Sequence, residues 1–151
     1  MRRWSRWATD ETGSASLEFI TAGLLLLVPL VYLVVAVASL QAAAFAAEGA
    51  SRQAARVFVR AESTDDAHDQ VRRAVEFALT DQGIDPAQAS VVITCSPVRS
   101  DCLAAGSIVT VGVTVRVPMP LVPAALDLDS ALAINVDSAA AQQVSRFGGN
   151  R

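Results

Sequence analysis

Few side chains in this sequence are placed to do chemistry, and the most informative is a carboxylate. Glu18 stands at the mouth of an apolar run, Phe19 to Leu40, that contains no charged residue. A charged carboxylate deep in lipid costs roughly 2.5–3.5 kcal/mol, so such a group normally has a partner or a task. Taken alone, Glu18 fits two readings: a side chain that reaches back to the interface and does nothing more, or an acid with a partner or a role. The second candidate is the pair Cys95 and Cys102. A disulfide, two free buried thiols and half of a metal site are the possibilities. No further Cys exists, and the one histidine, His68, lies on a polar helix face as a solvated residue would. An oxidising compartment favours the disulfide. Closing so short a loop would contribute ~2.5 kcal/mol on the chain-entropy model. Asp65, Asp66 and Asp69 read as a charged helix start. No Ser/His/Asp set, metal-ligand spacing or Gly-rich phosphate loop is visible, so neither an enzyme nor a cofactor is expected.

These residues need elements to hold them. At ~1.5 Å per residue the apolar run reaches roughly 33 Å, enough to cross a hydrocarbon core of about 30 Å. It is too long for a usual signal-peptide core. Arg2, Arg3 and Arg6 precede it, and Gln41 to Ala47 after it carry no charge, which places the N-terminus in the cytoplasm and the rest outside. Trp4 and Trp7 suit the headgroup zone. Arg2-Arg3 is not followed by the residues of a twin-arginine signal. The 151 residues carry a net charge of −3, and all twelve basic residues are Arg. No basic cluster with interleaved aromatics points to a nucleic acid.

The helical pattern continues from Leu17 to Ala61, broken only by Pro29, on the order of 68 Å if continuous. Its outer half is amphipathic: Ala43, Ala47, Ala50, Ala54, Val57, Phe58 and Ala61 share one face, and Glu48, Arg52, Gln53, Arg56 and Arg60 the other. An alanine face lets a partner backbone approach closely. Ser63 to Asp66 signals a second helix. It carries Ala67, Val71, Ala74, Val75, Ala78 and Leu79 at helical spacing and stops near Gly83. Beyond Asp85-Pro86 the period becomes two, and Ser90–Cys95, Ile108–Val117 and Ala131–Ser138 read as strands. Val109, Val111, Val113, Val115 and Val117 fall on one face of the middle strand. The cysteine segment is its hairpin connection. Val117 to Pro123, with three prolines, is expected to leave the sheet as an apolar loop able to rest on a membrane surface. The expectation is an α+β fold: a long N-terminal transmembrane helix, a second helix, and a small antiparallel sheet of about three strands.

The spacing around Glu18 carries further meaning. Gly13-Ser-Ala-Ser-Leu-Glu18-Phe19, behind a basic leader and at the head of an apolar helix, resembles the processing site of type IV pilins. With Pro29 and then Ala50-Ser51-Arg52-Gln53-Ala54-Ala55-Arg56, the stretch resembles more narrowly the TadE-like family, minor pilins or pseudopilins of the Tad (Flp) tight-adherence pilus. The match covers about residues 13–56. The cysteine pair and the closing Val-Ser-Arg-Phe are similar to actinobacterial members. The resemblance implies that a prepilin peptidase cuts between Gly13 and Ser14. It implies that Glu18, beside Phe19, joins subunits by meeting the new terminal amine of a neighbour. It also implies sibling pilins, an assembly ATPase and a membrane platform as partners. Ser14 stands where many mature type IV pilins begin with an aromatic residue.

The organisation expected is a leader at 1–13, a transmembrane and amphipathic helix at 14–62, an extracytoplasmic α+β domain at 63–146 and a frayed tail at 147–151. The function expected is a pilin-like subunit, held in the cell membrane or carried into a surface pilus, that works by helix packing. Two alternatives make different predictions. Ala36-Val37-Ala38 before Ser39, and the alanines that follow, offer signal-peptidase sites for a secreted binding domain. An unprocessed signal-anchored envelope protein would keep Met1.

Overall fold

A computed structural model describes residues 14–97, 101–120 and 132–147, with the side chain of Ser14 left aside. The chain divides into two compact units, one up to Val37 and one from Ala38 onward. Helix α1 covers Ser14–Phe58 and contains Pro29. Proline has no N–H to give the carbonyl of Leu25 one turn earlier, and the helix nevertheless continues, as membrane helices do when a neighbour supplies the missing donor.

Before Ala38, α1 is described by its exposure. Phe19 is 79% exposed and Leu26 75%, and large apolar side chains project on every side. Among the described residues this is the one helix long and apolar enough to cross a membrane.

From Ala38 onward a core forms. Helix α2, Thr64–Asp81, begins where Ser63 accepts a hydrogen bond from the Asp66 N–H (3.2 Å), with Asp65 and Asp66 in its first turn. Both features satisfy or complement the positive helix end. It ends as Gly83 turns left-handed at φ 70°. The Gly83 N–H donates to Thr80 (2.9 Å) and the Ile84 N–H to Leu79 (2.9 Å), the paired bonds of a Schellman motif. Asp85 then caps a short 3-10 turn, Pro86–Gln88, by accepting from the Ala87 N–H.

Three antiparallel strands follow in the order β1-β2-β3: β1 Ala89–Ser96, β2 Ile108–Pro118 and β3 Ala133–Gln143. Val109, Val111, Val113 and Val115 of the central strand are at most 1% exposed. They join Ala43, Ala46, Ala47, Ala50, Ala54, Ala55 and Phe58 of α1, and Ala67, Val71, Val75 and Leu79 of α2, in one core. The fold is therefore α+β with a long apolar helix, a second helix and a three-stranded sheet.

Several boundaries differ from the expectation: α1 ends at Phe58 and does not continue to Ala61, and β1 takes in Ala89 and Ser96. The third strand runs five residues past Ser138, through Ala139-Ala140-Ala141, which has poor strand propensity. Ala140 pairs with Val111 and Ala139 with Gly112, and Ala140 packs on the core. Tertiary pairing overrides propensity there. The second strand includes Pro118, opposite Ala133. Pairing with β1 ends at Val115, so Pro118 sits where β2 has a single neighbour and a missing donor is tolerated. Residues 121–123 of the expected loop, residue 131 of the expected third strand, the leader 1–13 and the tail from 148 lie outside the described residues.

Candidate functional site

The candidate site begins at the start of α1. Glu18 lies one turn beyond Ser14 and is exposed, flanked by Leu17 (70% exposed) and Phe19. Thr21 turns its hydroxyl inward and donates to the carbonyl of Leu17 at 2.7 Å, so it adds no free donor beside the acid. No described residue forms an ion pair with Glu18. From Phe19 to Ala47 no charged residue occurs, and the next charge is Glu48. A lone carboxylate thus stands on an otherwise apolar helical surface. Within a bilayer such a surface would offer an approaching cation a low-dielectric setting, where charge pairing is strong and an unpaired charge is costly. Gly13, the expected residue before the cut, lies outside the described residues, and Ser14 opens the described helix.

The part of α1 from Ala38 onward is built for a different contact. Its alanine face is buried, with Ala47, Ala50, Ala54 and Ala55 all at 0% exposure. Ser51 belongs to that face. Its hydroxyl donates to the Glu48 carbonyl at 3.1 Å and lies 3.2 Å from the hydroxyl of Ser138 on β3. Two small hydroxyls therefore pin helix to sheet without leaving a buried polar atom unpaired. Sequence reading left Ser51, Ala46 and Ala55 off this face. The available signal is spacing of three and four: Ala46 stands so to Ala43 and Ala50, Ser51 to Ala47 and Ala54, and Ala55 to Ser51 and Phe58. The opposite face carries the exposed Arg52, Gln53 and Arg56, with Arg52 paired to Glu48 one turn back.

Cys95 and Cys102 are joined, with a Cα–Cα distance of 5.4 Å. The bridge ties the last turn of β1 pairing to the connection before β2, and both half-cystines pack against the core. His68 is exposed, and its ring stands edge-on to Phe58 with centroids 5.7 Å apart. That is the surface placement its helix position suggested. No group of three His, Cys, Asp or Glu side chains among the described residues is arranged to hold a metal ion.

Glu18 and the cysteine pair belong to separate units, so the structure presents two sites. One is an acid on an apolar helix, and the other is a disulfide-closed sheet. No family model, curated protein or solved structure matches this chain.

Proposed function

We propose that this chain is a minor pilin-like subunit of a Tad (Flp)-type pilus or a related secretion machine, resembling the TadE-like family, and that it works by helix packing in the membrane. The observation that carries this reading is Glu18: a single acid, one turn after Ser14, heading an apolar helix whose large side chains are exposed. In this reading a prepilin peptidase cuts after Gly13, and the Ser14 amine of one subunit meets Glu18 of the next. Arg2, Arg3 and Arg6 hold the N-terminus in the cytoplasm, and the sheet domain lies outside. An assembly ATPase and membrane platform then draw the subunits from the bilayer.

Sequencing the N-terminus of the protein extracted from membranes tests the proposal. A Ser14 start is the expected result, and Gly13→Leu should accumulate the full-length form. An intact Met1 in the wild type would contradict it. A second reading has its own support. The outer unit begins at Ala38, directly before the candidate signal-peptidase junction at Ser39. A cut there would leave the whole buried alanine face, Ala43 to Ala55, attached to the sheet. A start between Ser39 and Glu48 would identify a released binding domain.

A further inference from the structure

The sheet is closed on its core face over β2 and half open over β1. Val91 of β1 pairs with Val113 and points to the same face, yet Val91 is 38% exposed and Val113 is 1% exposed. The difference is a groove of about 550 Å³ between α2 and β1, floored by Val75, Val91 and Ile93 and rimmed by His68, Arg72 and Glu76. Among the described residues β1 pairs only with β2. From Ala89 to Ser96 it carries no charge and no proline. Edge strands of soluble domains are normally blunted by such residues. The other edge, β3, has one in Asp137, which accepts a hydrogen bond from Thr114.

We infer that β1 is the contact edge of a two-fold dimer of this chain. In it, β1 pairs antiparallel with its copy to give a six-stranded sheet, and the two α2 helices run antiparallel above it. The rim selects this occupant. Arg72 and Glu76 are one turn apart on α2 and opposite in sign, so the groove suits neither a purely acidic nor a purely basic partner. A two-fold axis passing midway between them places Arg72 against Glu76 of the other copy, and the reverse, satisfying both at once. Arg72 is held at present by Asp69 at 2.9 Å, with both side chains largely exposed. A surface pair of that kind is readily exchanged. The paired edges would bury Val91 and cover the exposed part of Ile93 beneath the helices, beside Val75, which is already in the core.

The inference does not rest on the filament reading. A chain that starts at Ser14 and stays monomeric would remove the dimer alone. The test is the mass of the full chain in detergent micelles, read by light scattering with the detergent contribution subtracted. Wild type should show a two-chain mass. Arg72→Glu and Glu76→Arg should each set like charges against each other and raise the dissociation constant about tenfold. The double variant, Arg72→Glu with Glu76→Arg, should restore the wild-type value. Val91→Lys should abolish the dimer while keeping the thermal transition of the domain. A one-chain mass for wild type at every concentration would overturn the inference. So would single charge reversals that dimerise like wild type, since the contact would then lie on α1, or a double variant no better than the singles.

Discussion

The two halves of α1 are made from similarly apolar residues and behave in opposite ways. Up to Val37 the helix carries Leu, Val, Ile and Phe, and these large side chains are exposed. Beyond Ala38 it carries Ala and Ser on one face, and that face is buried against the domain's own sheet. Side-chain size marks the difference. Large branched side chains make area for a solvent of lipid tails or for other helices. Alanine buries little area by itself, and its short side chain lets the helix face join one packed core with Val111, Val113 and Ala140.

Breaking the domain half should have the largest effect. Phe58→Ala removes the largest fully buried side chain, where α1 meets α2, and should destabilise the outer domain by about 3–5 kcal/mol, read from denaturant unfolding. Loss of the disulfide comes next. Cys95→Ala with Cys102→Ala should lower stability by about 2.5 kcal/mol and leave membrane insertion unchanged. In the non-reduced, denatured wild type neither thiol should react with an alkylating reagent, and full labelling without reductant would reject the bridge. The comparison itself is sharpened by one substitution made twice. Ala50→Leu overfills the helix–sheet contact and should cost about 1–3 kcal/mol. Ala22→Leu, on the exposed membrane half, should leave domain unfolding where it was. Equal effects at both positions would remove the distinction between the halves.

Much of this was legible in the sequence because it depends on periodicity and caps. The uncharged run, the alanine stripe, the Ser63 cap, the Gly83 stop and the alternating valines of β2 are local signals, and each marks its element. Less legible were features set by pairing. The extension of β3 through Ala139 to Gln143 exists because Ile108 to Gly112 lie opposite, and no propensity in those residues announces it. Pro118 could join β2 only because β1 stops pairing at Val115. Ser51, a polar residue in an alanine stripe, is buried because Ser138 arrives from a distant strand with a matching hydroxyl. The groove beside β1 was likewise invisible, since it arises from how far α2 stands off Val91. Glu18 is the reverse case. Its meaning lies in its spacing from Gly13, and the fold adds only that nothing in the described chain competes for it.

The central claim is that Glu18 serves association, not insertion, and one variant separates the two. Glu18→Gln keeps the shape and the apolar run but removes the charge. Insertion and topology should be unchanged, since a spanning helix has no need of the acid. Processing after Gly13 should survive, because the small residue before the cut is intact. The measurement is co-purification of the membrane-extracted protein with the sibling pilins that the proposed function calls for. The account predicts that Glu18→Gln loses most of this association and Glu18→Leu nearly all of it, the amide retaining a weaker acceptor for the Ser14 amine. Association of both variants at the wild-type level would contradict it.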